Sequence, residues 1–199
     1  VTIQAGGDLS VTDAGAELRC AGDWSDVGLG TVQSAGVVRL NGTTKQILSG
    51  RVRTLDITGS YTIPSAATFT VTNGGAGASA LTVPIGGSLT LVRTAGNGAT
   101  LELGNTTTST INGTLATTAT SPMPQLAWPG DNVPRIRPEG GAGTFDFNCL
   151  GATVDINGLE FTGGDLEGLN IAKNGATNPT ITSGRLDFVR FHTGEATGR

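Results

Sequence analysis

Between Phe145 and Phe161, apolar and polar residues alternate. Phe145, Phe147 and Cys149 alternate with Asp146 and Asn148, Val154 and Ile156 flank Asp155, and Leu159 and Phe161 flank Glu160. A period of two sends successive side chains to opposite faces, so each piece reads as a half-buried strand. Between the pieces stand Gly151 and Asn157-Gly158, residues that accept the positive φ of a tight corner. Three short strands turned by one or two residues make a coil that cannot hide its own apolar face, and this predicts stacking of one coil on the next.

The rest of the chain repeats the pattern more loosely. Leu55-Asp56-Ile57, Tyr61-Thr62-Ile63, Phe69-Thr70-Val71, Leu81-Thr82-Val83, Leu89-Thr90-Leu91 and Leu101-Glu102-Leu103 all alternate. Phe69 to Leu89 and Leu81 to Leu101 are each one coil length apart, at roughly 20 residues per three-strand coil. The same spacing also suits a β-sandwich. Among 199 residues, 32 glycines and 31 threonines against two lysines are poor helix-forming material and favour short strands and turns. The exposed threonines of Val52 to Leu115 form a solvated wall, an ice- or sugar-binding plane, or a stacking surface.

Residues 117–143 interrupt the alternation and hold five of the eight prolines, which cannot serve a central ladder. The expected organisation is therefore a strand-rich segment over 1–116, a Pro/Gly-rich loop or junction over 117–143, and a second such segment over 144–199 that continues beyond Arg199. The chain opens on Val1 rather than Met, as expected of a processed or excised piece.

Two stretches carry a family resemblance. Gly22-Asp23-Trp24-Ser25-Asp26-Val27-Gly28, followed by residues 36–50 with Asn41-Gly42-Thr43 and Gln46-Ile47-Leu48-Ser49-Gly50, resembles a unit of large bacterial surface and secreted β-solenoid proteins. Asn157-Gly158-Leu159-Glu160-Phe161, Gly168-Leu169-Asn170-Ile171 and Gly184-Arg185-Leu186-Asp187-Phe188 are similar to strands of the pectin-lyase-like superfamily. The resemblances imply an all-β fold, a right-handed parallel β-helix with about three short strands per coil, in two segments joined by the Pro-rich loop. They also imply an extracellular or cell-surface location. They imply no enzymatic activity.

The net charge of −4 leaves no basic face for nucleic acid, and no apolar run is long enough for a membrane-spanning helix. Cys20 and Cys149 are expected as unpaired core residues, too many coils apart for a disulfide. Trp24 reads as a ring covering the core, against the alternative of a sugar-stacking platform. His192 is the only histidine, so a hydrolytic triad has one place to centre, and no Cys/His spacing supports zinc. Asp165 and Glu167 offer oxygens to calcium without the Gly-Gly-x-Gly-x-Asp repeat. No catalytic residue, metal site or cofactor is assigned.

Loops on a rigid scaffold are where ligands bind, which makes Trp128, Arg135 and Arg137, together with the acidic wall at Asp155 and Asp165, the candidate ligand-binding residues. The arginines would face an acidic sugar, or else pair with Glu139 or stay solvated. The expected function is a non-enzymatic secreted or cell-surface segment, serving as adhesin, spacer or envelope component. Its partners would be copies of itself or adjoining segments. The alternative is a carbohydrate-binding or polysaccharide-degrading module.

Overall fold

The computed structural model describes residues 2–3, 9–11, 13, 15–26, 32–34, 36–72, 79–94, 96–119 and 133–192. These residues form strands and one short 3-10 turn at Glu139–Gly141, and no α-helix is among them. The period-two reading holds locally. Phe145, Phe147 and Cys149 are buried while Asp146 and Asn148 are half-exposed, and alternation runs from Val154 to Asn157 and again from Leu159 to Phe161, with its phase shifted by one at Gly158.

All strand pairings are parallel, and they run in three ladders. The first holds β1 (Thr2–Ile3), β4 (Trp24–Asp26), β7 (Lys45–Val52), β10 (Thr68–Val71), β13 (Thr100–Leu103), β16 (Arg135–Pro138) and β18 (Thr153–Thr162). The second holds β9 (Ser60–Ile63), β12 (Ser88–Arg93), β15 (Thr114–Ala119) and again β18, with β20 (Thr180–His192) beside it. The third is a separate seven-stranded sheet: β3 (Glu17–Cys20), β6 (Val37–Leu40), β8 (Leu55–Ile57), β11 (Ser79–Val83), β14 (Thr108–Ile111), β17 (Phe145–Leu150) and β19 (Gly164–Ala172). A short pair, β2 (Leu9–Val11) with β5 (Val32–Ser34), stands apart.

The first two ladders are joined at both ends. Strand β7 pairs β9 through Lys45 and Gln46 and pairs β10 through Gly50 to Val52. Strand β18 pairs β15 through Thr153 to Asp155 and pairs β16 through Glu160 and Phe161. The path β7-β10-β13-β16-β18-β15-β12-β9 therefore returns to β7, a parallel barrel of eight strands in its hydrogen-bond connectivity.

This overturns the expected right-handed parallel β-helix, with its solenoid of about three short strands per coil. The physical reason lies at the corners. Asn157-Gly158, read as a break between strands, is inside the ten-residue β18, where Gly158 takes φ 76° without ending the strand. Gly50, with φ 127°, plays the same part within β7. The constant interval fails as well. Phe69 pairs Leu101 rather than lying over Leu89, and hydrogen-bonded partners on neighbouring strands are 17, 28, 32 or 35 residues apart. Phe161 stands against Phe191, not against Phe188.

One apolar cluster runs through both sheets, from Cys20 and Trp24 to Phe161. Trp24 is fully buried, which supports the core-covering reading of its ring. Cys20 and Cys149 are buried and form no disulfide, as expected. Burial pushes the Cys149 thiol up to about 12 and also raises Tyr61, because each anion would lose its hydration. In the unfolded chain both groups ionise at lower pH, so the unfolded state sheds protons first. Stability is intact below pH 9, the ordinary thiol value, and falls from there toward the folded value of about 12. Denaturant titrations above pH 9 should show a loss approaching about 1.4 kcal/mol per pH unit from Cys149, with Tyr61 adding a loss of the same sign above its ordinary value of 10.0. A flat profile across that window would contradict the burial of both.

Tyr61 also organises a polar knot inside the wall. Its hydroxyl proton is shared between the carbonyl oxygens of Cys20 (2.9 Å) and Gly22 (3.0 Å), and its oxygen accepts from the Gly42 N–H (3.1 Å). Phenylalanine preserves the ring and strands the Gly42 donor, so Tyr61→Phe should cost about 2 kcal/mol in equilibrium unfolding.

Candidate functional site

Parallel register turns alternate polar residues into rows that cross the strands. On the first ladder one such row is Arg51, Thr70, Glu102 and Arg137. Arg137 donates to Glu102 Oε1 from Nη2 (2.8 Å) and Nε (3.1 Å), and the Thr70 hydroxyl donates to Oε2 (3.0 Å). The row beside it pairs Arg135 Nε with Glu160 Oε2 at 3.0 Å, and Arg51 reaches Glu139. Each of these contacts is charge-assisted, and those joining Thr70, Glu102 and Arg137, and Arg135 and Glu160, run across the strands and reinforce the backbone register beneath them.

The sequence-derived residues are not gathered by this arrangement. Arg135 and Arg137 occupy alternate positions of β16 and engage Glu160 and Glu102, not Glu139. Asp155 is on the same strand as Glu160 but belongs to the other ladder, where it stands against Ala116. Up to roughly 16 Å of strand separates those two positions. Asp165 is on β19 with its side chain outside the described residues, as are those of Glu167 and His192; Trp128 lies outside them altogether.

Asp155 instead ends a row of a different character. Gln46, Thr62, Thr90, Ala116 and Asp155 stand in register along the second ladder. Beside them run Ser60, Ser88, Thr114, Thr153 and Thr180. The Ser88 hydroxyl donates to Ser60 at 2.9 Å. These two rows give the second ladder a wall of hydroxyls with a single carboxylate at one end, unlike the ion-paired first ladder.

A second charged group escapes sequence reasoning. On the third ladder Arg39 bridges Glu17 (2.8 Å) and Asp56 (3.0 Å), and Glu17 also meets Arg19. The hydrogen bond to Asp56 leads in raising the Arg39 pKa, against the opposing effect of desolvation. Glu102 and Glu160 were likewise invisible as partners of the arginines. They are 35 and 25 residues away in sequence, and only the register brings them together.

Among the described residues no group of three or more His, Cys, Asp or Glu could hold a metal ion. Among the described residues no helix is long and apolar enough to cross a membrane, which does not bear on crossing by strands. Comparison of the chain with protein-family models, with curated proteins and with solved structures found no match.

Proposed function

We propose that the chain is a non-enzymatic structural segment of a secreted or cell-surface bacterial protein, a stiff spacer whose partners are adjoining segments or further copies of itself. The observation that carries this reading is the use of charge. Arg39, Arg135 and Arg137 each meet a carboxylate from another strand, and Arg51 meets Glu139 in the 3-10 turn, so these described charges tie one stretch of backbone to another. A site built to bind an acidic ligand would hold such cations without a carboxylate already in place.

The hydroxyl wall ending at Asp155 favours a second reading, a carbohydrate-binding module, because in-register hydroxyls present donors and acceptors to a polyhydroxylated chain. Incubation of the purified chain with a panel of neutral and acidic polysaccharides, followed for both retention and product release, separates the two. The spacer reading expects neither. Retention lost in Thr90→Val would replace it with the binding reading, and product release abolished by Asp155→Ala would replace it with an enzyme.

A further inference from the structure

Six asparagines in this chain precede glycine, at 41, 73, 97, 112, 157 and 174. Such a pair is chemically labile. The glycine nitrogen attacks the asparagine Cγ, ammonia leaves, and a five-membered succinimide forms. Water then opens the ring at either carbonyl, giving aspartate or isoaspartate. The attack needs a glycine N–H that is not already committed and a backbone free to bring nitrogen and Cγ together. Asn73 lies outside the described residues.

The fold restrains four of the other five. The Gly42 N–H donates to the Tyr61 hydroxyl (3.1 Å). The Gly113 N–H donates to the Val83 carbonyl (2.9 Å), while the Asn112 amide donates to the Leu150 carbonyl (2.8 Å). Asn157 is inside β18, with its N–H donating to Thr117 Oγ1 (2.7 Å) and its carbonyl accepting from the same hydroxyl (3.0 Å). Asn97-Gly98 is wedged, since a Cβ built on Gly98 would come within 2.0 Å of the Val133 carbonyl oxygen.

Asn174-Gly175 differs in its exposure and in the open space around its glycine. Asn174 and Thr177 exchange both backbone hydrogen bonds (3.0 and 2.9 Å), leaving Gly175 and Ala176 as a two-residue turn. Both Asn174 and Gly175 are exposed, and Gly175 takes φ 58° with open space where a side chain would sit. Among the described residues nothing accepts the Gly175 N–H. We infer that Asn174 is the deamidation site among the described residues, a spontaneous modification that replaces a neutral amide with a carboxylate beside Lys173 and takes the net charge from −4 to −5.

Ageing the full chain in warm, mildly alkaline buffer, with samples digested by trypsin and read by mass spectrometry, tests this. Cleavage after Lys173 and Arg185 releases a peptide holding Asn174 and Asn178. Asn178 precedes Pro179, whose nitrogen has no proton to lose, so a mass gain in this peptide reports Asn174. Because opening energies run from near zero at turns to the global value in paired strands, Asn174 should convert at least about tenfold faster than Asn112 or Asn157. In denaturant that gap should close. Gly175→Ala should slow conversion of the native chain at least about tenfold. Equal rates at Asn174 and Asn157 in the native chain, or an unchanged Asn174, would overturn the inference.

Discussion

Phe161→Ala should lower stability by about 3–5 kcal/mol, measured as a shift in the denaturant midpoint with the slope retained. Phe161 is about 1% exposed, and its ring meets Phe145 at 5.4 Å, tilted by 58°, and Phe147 edge-on at 5.8 Å. The first two rings come from opposite sides of the core. Phe145 and Phe147 belong to the seven-stranded sheet and Phe161 to the closed ring, so the triad packs the two sheets against each other. Truncation removes the transfer free energy of the ring and the edge-to-face contacts, and leaves a cavity between elements that cannot collapse without breaking ladder bonds. A loss below about 1 kcal/mol would mean that the sheets are not held together there.

Gly59→Ala should cost about 3 kcal/mol although it adds one methyl group, at the upper end of what overpacking costs. The added Cβ would come within 2.0 Å of the Gly42 carbonyl oxygen, which is backbone and cannot swing aside. That oxygen accepts the Ser60 N–H at 2.9 Å, and the same arrangement recurs where the Gly59, Gly87 and Gly113 carbonyls receive the N–H groups of Ser88 (2.8 Å), Thr114 (2.9 Å) and Thr153 (2.9 Å). Glycine at these positions is a matter of clearance between neighbouring turns of backbone. Gly86 is a useful control: a Cβ there meets nothing within 4 Å, and only its φ of 89° resists substitution. Gly86→Ala should therefore cost about 1–2 kcal/mol, the scale of a residue held in the left-handed region. Equal losses at Gly59 and Gly86 would show that close approach is not what selects glycine at Gly59.

Alternation made the strands and their buried faces readable in advance, because the identity of the inward residue at Leu89, Leu101 or Phe147 is decided by its immediate neighbours. Register was not readable in the same way. It depends on how many residues each connection consumes, and the connections here differ enough that Thr70 meets Glu102 and not a residue one fixed interval away. The closure of the ring was hidden for a related reason. Gly50 and Gly158 look like ends of strands, and they are points where a continuing strand changes partners. The candidate arginines suffered from both gaps: Arg135 and Arg137 were read as loop residues with a neighbour to pair with, whereas β16 hands them to carboxylates far away in sequence. What sequence could name was the chemistry of those side chains, and what it could not name was their company.

A loop of hydrogen-bonded strands has no terminus from which to peel. Strands β10, β13 and β12 are each flanked on both sides, and the two members that join the ladders, β7 and β18, each pair with three strands and must tear along three seams to let go. Amide exchange in that circle should consequently occur through a single collective event of uniform free energy. The open seven-stranded sheet, by contrast, should loosen progressively from β3 and β19 inward.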